Sequence, residues 1–216
     1  MSERSRYPGY DVLAKRETPS WDDPTRRAID KRLHVPTAPR FLTAAEWAVA
    51  DALCRRILPQ GEESETVPLG ALLDAKLFAD HGDGFREADM PYMREAWRAG
   101  LAALDAEAKA RHDGRSFAAI SFEHQDSLVS MMQKGALAAA HWHAIDPKKF
   151  FERRVLVDIP ALYYSHPKAW SEIGFGGPAS PRGYVRLEGE RRDPWEAAEA
   201  VAGHEDAARQ LNQRVV

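Results

Sequence analysis

Residues 173–184 read IGFGGPASPRGY. Within them, Gly174-x-Gly176-x-x-Ala179 satisfies the G-x-G-x-x-[G/A] pattern of a dinucleotide-binding turn. Taken literally, that would make the chain an α/β protein built on a parallel sheet. The pattern works only where a buried strand leads into the turn and a helix N-terminus leaves it, facing a pyrophosphate. The residues before it, Tyr163-Tyr164-Ser165-His166-Pro167-Lys168-Ala169-Trp170-Ser171-Glu172, are not an apolar β-branched run. Those after it contain Pro178 and Pro181, which interrupt a new helix. Too little chain follows Ala179 to complete a nucleotide-binding sheet. The glycines therefore read as an irregular Gly/Pro-rich segment, with no cofactor expected in this chain.

Upstream, the pattern is helical. Thr43 followed by Glu46 forms a capping box, and Trp47, Ala50, Cys54, Ile57 and Leu58 recur at helical spacing until Pro59 and Gly61. Residues 67–79 read as a shorter helix and 89–111 as a long one, with Met93, Trp97, Leu101, Leu104 and Ala108 on one face. Ser121 caps a helix with Leu128, Met131, Met132 and Leu137 inward. Asp146-Pro147 places a cap and an N1 proline before a helix whose face is Phe151, Val155, Ile159 and Leu162, with a kink expected at Pro160. Short helices are expected at 24–34 and over 194–212. Alternating strand patterns are absent. The expected fold is mainly α: an extended, irregular N-terminal arm (1–42), a compact multi-helix domain (43–164), and an irregular Gly/Pro-rich segment with a short C-terminal helix (165–216).

Composition narrows the function. The chain has 216 residues, 29% charged and 44% hydrophobic, with a net charge of −3, the profile of one ordinary globular domain. Lys and Arg are dispersed, which argues against nucleic-acid partners. No stretch approaches the ~20 apolar residues of a membrane span. The N-terminus lacks an apolar core, and Arg26-Arg27 is followed by Asp30, Lys31, Arg32 and His34, so no export signal is read. The expectation is a cytoplasmic chain, or an exported complex whose partner bears the signal. Cys54, the single cysteine, reads as a small core residue.

His141-Trp142-His143 is the most suggestive cluster. An H-x-H pair can ligate zinc or iron where the chain is extended, with Glu152, Asp158 or His166 to complete the set. Placed just before a helix cap, the pair reads more simply as a surface or interface loop. Nucleophile-elbow, phosphate-loop and H-E-x-x-H motifs are absent, and no catalytic set assembles from spacing.

The ends of the chain carry large aromatics on extended backbone. Such segments either wrap their own domain or anchor on a partner, where Trp, Tyr and Arg supply most of the binding energy. The expected partner interface comprises Trp170, Phe175, Arg182, Tyr184 and Arg186, with Trp21 of the N-terminal arm; the rival is that these aromatics are core.

Phe41-Leu42-Thr43-Ala44-Ala45-Glu46, Arg56-Ile57-Leu58-Pro59, the run Tyr92–Asp105, and above all Tyr163-Tyr164-Ser165-His166-Pro167 with Trp170-Ser171-Glu172-Ile173-Gly174-Phe175-Gly176-Gly177-Pro178 resemble the gluconate 2-dehydrogenase subunit 3 family. The resemblance implies a noncatalytic small subunit that helps a large FAD-dependent subunit of the glucose–methanol–choline type to mature, often alongside a c-type cytochrome subunit. It implies FAD in the partner and no catalytic residue here. The alternatives from the residues themselves are a stand-alone metal-dependent enzyme using His141 and His143, or a general chaperone or scaffold without a redox partner.

Overall fold

Thr43 Oγ1 accepts the Glu46 N–H at 3.2 Å, and the Glu46 carboxylate accepts the Thr43 N–H at 2.8 Å. This reciprocal capping opens helix α2 (Ala44–Ile57). The computed structural model describes residues 5–61, 66–82, 84, 87–137, 139–183, 193 and 195–214. Helix α1 (Asp23–Leu33) precedes α2; α3 (Leu69–Ala79), α4 (Met93–Arg111) and α5 (Phe122–Lys134) follow. Then come α6 (Pro147–Phe150), a π-helical turn (Phe151–Val155), α7 (Leu156–Ser165), α8 (Pro167–Ile173) and α9 (Glu205–Asn212). Among the described residues there is no strand, only an isolated bridge between Trp21 and Pro181. The protein is mainly α. None of its described helices is long and apolar enough to cross a membrane.

The chain divides into two compact units: Val35–Tyr163, and Met1–His34 together with Tyr164–Val216. In the helical unit, α2 packs against α3, α4 and α5. Its inward face is Val49, Ala50, Leu53 and Cys54, with Trp47, Ile57 and Leu58 only partly covered. Burial pushes the Cys54 thiol well above its ordinary value, followed by the nearby Asp51 charge, so this is an inert core residue. Trp97, Leu101, Leu104 and Ala108 of α4 point inward as the spacing predicts. Trp97 meets Phe150 edge-on, with ring centroids 5.3 Å apart. That contact needs Gly100, because a Cβ there would lie 2.3 Å from Phe150 Cζ.

Two buried carboxylates pin this core. Asp158 accepts from Trp97 Nε1 and from Lys76 Nζ, each at 2.7 Å. Asp74 accepts the backbone N–H groups of Arg40, Phe41 and Leu42 at 2.8, 3.0 and 2.8 Å. Both are satisfied in the manner that buried charge requires. A π-helical turn precedes α7, closed by the Leu156 N–H bonding the Phe151 carbonyl. Pro160 itself sits inside α7.

The terminal unit is more helical than its Gly/Pro content suggests. A 3₁₀ turn spans Val12–Glu17. Helix α8 lies within the stretch read as irregular: His166 is its N-cap, Pro167 its first residue, and Gly174 (φ +70°) its left-handed C-cap. Here proline starts a helix and glycine ends one. Residues 195–204 go the other way, since the helix expected from 194 begins only at Glu205. Backbone donors there serve distant partners: the Ala198 N–H bonds the Asn212 side chain and the Ala200 N–H bonds the Arg6 carbonyl. The core of this unit is Tyr10, Val12, Trp21, Ile29, Trp170 and Ala197.

Candidate functional site

Lys15 sits at the centre of the terminal unit, fully buried. Its ammonium donates to Tyr10 Oη at 3.0 Å, the Gly176 carbonyl at 3.0 Å and the Trp195 carbonyl at 2.5 Å. Three N–H donors thus meet three oxygens from three separate segments. Burial, and after it the nearby Arg182, push the amine down to about 8 against the opposing pull of Glu196. With every N–H engaged and no access to solvent, this lysine is a tie and not a base or nucleophile.

The tie holds down the segment from Gly174 to Gly183. Trp21 Nε1 donates to the Pro178 carbonyl at 3.1 Å, and Asp22 N–H to the Ser180 carbonyl at 3.4 Å. Arg182 donates to the Gly176 carbonyl at 3.3 Å and lies over the Trp195 ring. Gly177 (φ +71°) passes so close that a Cβ would lie 3.0 Å from Trp21 Cζ2 and 3.1 Å from Val12 Cγ2. These glycines serve a tight passage across aromatic side chains. The turn follows helix α8 and not a strand, and residues 175–179 beyond it are not helical.

Trp21 and Trp170 are buried inside the terminal unit itself. Trp170 Nε1 donates to the Tyr164 carbonyl at 2.7 Å, and its ring meets Phe175 edge-on at 5.5 Å. Phe175 is 41% exposed, and Tyr164 and Ile173 of the same unit are exposed to 48% and 43%. Tyr164, Ile173 and Phe175 thus offer outward apolar surface, as do Val201 and Leu211 elsewhere in the unit, and the Trp170 indole supports Phe175 from beneath. The physical reason is area: an indole tied by its N–H to a backbone carbonyl of its own unit is already desolvated. Tyr184 and Arg186 lie outside the described residues.

His141 is half-buried and His143 exposed. His143 lines an open cavity of about 480 Å³ with Asp89, Asp146 and Trp142. Of the further ligands considered, Asp158 is committed to Trp97 and Lys76, and His166 caps α8 by accepting the Lys168 N–H at 3.3 Å. Among the described residues, no group of three metal-ligating side chains converges.

A family model described as gluconate 2-dehydrogenase subunit 3 matches residues 44–177. The chain belongs to this family. Membership marks it as an accessory subunit of a dehydrogenase complex. No curated protein and no solved structure matches.

As a gluconate 2-dehydrogenase subunit 3 protein, it carries the matched segment from α2 through α8 into the glycine turn. Lys15, Trp21 and α1 lie outside the match, yet they close the unit to which the end of the match belongs. Sequence reading missed Lys15 because nothing local distinguishes a lysine destined for the interior. Helix α8 did leave a signal: Pro167 and Gly174 are spaced as a start and a stop.

Proposed function

We propose that this chain is the noncatalytic small subunit of an FAD-dependent dehydrogenase of the glucose–methanol–choline type. The complex would oxidise gluconate, another sugar acid, a sugar or a polyol. The small subunit would assist maturation and stability of the large one. Family membership over residues 44–177 carries this reading. In it the flavin belongs to the partner, and a c-type cytochrome subunit takes the electrons onward. Contact is made through the terminal unit, where Tyr164, Ile173 and Phe175 present apolar area, the last beside the Gly176 carbonyl that Lys15 holds. Preorganisation of that kind lowers the ordering entropy lost on association.

The test is expression of the large FAD-dependent subunit with and without this chain. Co-purification, and FAD-loaded, dye-reducing large subunit only when the chain is present, is the expected result. The chain alone is expected to be colourless and inactive on gluconate. Tightly bound FAD in the chain by itself, or a large subunit equally stable and equally loaded without it, would overturn the proposal.

A further inference from the structure

We infer that the outward face of helix α7, formed by Leu156, Val157, Pro160, Ala161 and Tyr164, docks an uncharged apolar segment of the partner dehydrogenase subunit. This rests on the subunit reading above and adds a helix face to that contact. At 3.6 residues per turn, the five positions fall within an arc of about 140° on α7. Leu156 and Val157 are 43% and 48% exposed, Ala161 and Tyr164 are also exposed, and Pro160 is half-buried. The other side of the helix is core: Asp158 and Ile159 are fully buried, and Leu162 and Tyr163 pack against the core partly buried.

A solvated helix carries charge on the face turned away from its core. Helix α4 exposes Glu95 and Arg98, and α5 exposes Glu123 and Asp126. The single charged residue of α7 is Asp158, and it is turned inward to Trp97 and Lys76. Helix α7 is therefore apolar on its exposed side as well as its buried one. That is the condition of a helix whose cover belongs to another chain.

Family membership marks the chain as a subunit of a dehydrogenase complex, so a partner exists to cover this face. The matching segment is apolar, because a charge buried against these five side chains would meet no counter-ion. At the N-terminal end of the face, Glu152 is paired with Lys148 at 3.9 Å and Arg153 with Glu87 at 2.9 Å. Charges already matched within the chain are unlike the basic flank of a membrane-surface helix. A second copy is also disfavoured. Ten residues of helix span about 15 Å, and one such crossing falls well short of the ~800 Å² per partner of a stable interface. The face belongs to a larger contact, and Tyr164, its last outward residue, already lies in the surface assigned to the partner.

The experiment uses the full chain and the large FAD-dependent dehydrogenase subunit encoded in the same genome. Val157→Glu and Ala161→Glu each place a carboxylate on the face. Both positions are exposed, so the isolated chain should keep the wild-type melting temperature. Binding of the large subunit should weaken at least about tenfold for each, because the carboxylate is buried without a counter-ion. Val157→Thr, which keeps the shape and adds only a hydroxyl, should bind far closer to wild type. Cys54 is buried, so a Val157→Cys variant takes a spin label at that position alone, and the label should lose mobility when the large subunit is added. The label carries the test if a Glu variant melts early. If the wild-type complex forms, both Glu variants bind as it does and the label stays mobile, the docking face is wrong while the subunit reading stands. If the wild-type chain does not bind at all, both fail. A concentration-dependent dimer of the chain alone, or adsorption to phosphatidylcholine vesicles, abolished by Val157→Glu, would assign the face to self-association or to a membrane and overturn the inference.

Discussion

Lys15 Nζ lies 3.0 Å from the carbonyl oxygen of Gly176, across 161 residues of sequence. The bond joins the N-terminal arm to the glycine turn, making one folded unit of the two ends. Lys15→Met would remove the ammonium donor from Tyr10, Gly176 and Trp195, although the Gly176 carbonyl keeps Arg182 at 3.3 Å. A buried acceptor stripped of its partner costs roughly 1–3 kcal/mol, and relief of the buried charge offsets part of that. Net destabilisation on the order of 2 kcal/mol is expected in thermal or urea unfolding.

The same lysine sets a pH dependence. Its amine falls from an ordinary 10.5 to about 8 in the folded chain. Between those values the unfolded chain binds more protons than the folded one, so this group's contribution to stability rises with pH. Below pH 8 the penalty for the buried ammonium is fully present. The difference in melting temperature between wild type and Lys15→Met should therefore change between pH 8 and 10.5, in favour of wild type as pH rises. A flat difference across that window would show that the site is wetter than described.

His166 works at the acid end. Burial first, then the Lys168 charge, pushes its imidazole down from 6.5 to about 4. As pH falls from 6.5 to 4, the unfolded chain takes up a proton that the folded chain refuses, and stability declines. Protonation also removes the lone pair of Nδ1 that caps α8. A loss on the order of 2 kcal/mol is expected over that range. His166→Asn, which can still cap, should remove most of this acid sensitivity in unfolding curves; an unchanged acid limb would refute the assignment.

Gly100 is a place where no side chain fits. Gly100→Ala would place Cβ 2.3–2.5 Å from three atoms of the Phe150 ring. Overpacking of this kind costs on the order of 1–3 kcal/mol, exceeding the gain of about 1 kcal/mol in helix propensity. Phe150→Leu should be better tolerated beside Gly100→Ala than alone, which a double-mutant cycle measures. A Gly100→Ala protein more stable than wild type would show that α4 and α6 are farther apart.

Trp170 and Phe175 separate folding from association. Trp170→Ala removes a buried side chain and its hydrogen bond to the Tyr164 carbonyl, so the isolated chain should lose about 3–5 kcal/mol of stability. Phe175→Ala trims a half-exposed ring and should leave the isolated chain's melting temperature nearly unchanged. If Phe175 lies at the centre of the partner contact, its loss should weaken co-purification about 30- to 700-fold, the equivalent of roughly 2–4 kcal/mol. Equal binding by Phe175→Ala and wild type would move the contact elsewhere.

The sequence by itself determined what short-range chemistry controls. The Thr43–Glu46 capping box, the Asp146 cap with Pro147, and the inward spacing of Trp97, Leu101 and Leu104 are each set within a turn or two of helix. They suffice for a mainly α fold, and the family match runs over residues 44–177, from the first capped helix to the glycine turn. Tertiary structure decided what depends on neighbours far along the chain. Whether Trp21 and Trp170 face a partner or their own core rests on carbonyls supplied by Pro178 and Tyr164. Lys15 is buried because three oxygens from separate segments converge on it, and residues 195–204 stay irregular because Asn212 and Arg6 claim their backbone. Periodicity and capping are encoded locally; which buried polar group finds its partner is settled only when the ends of the chain meet.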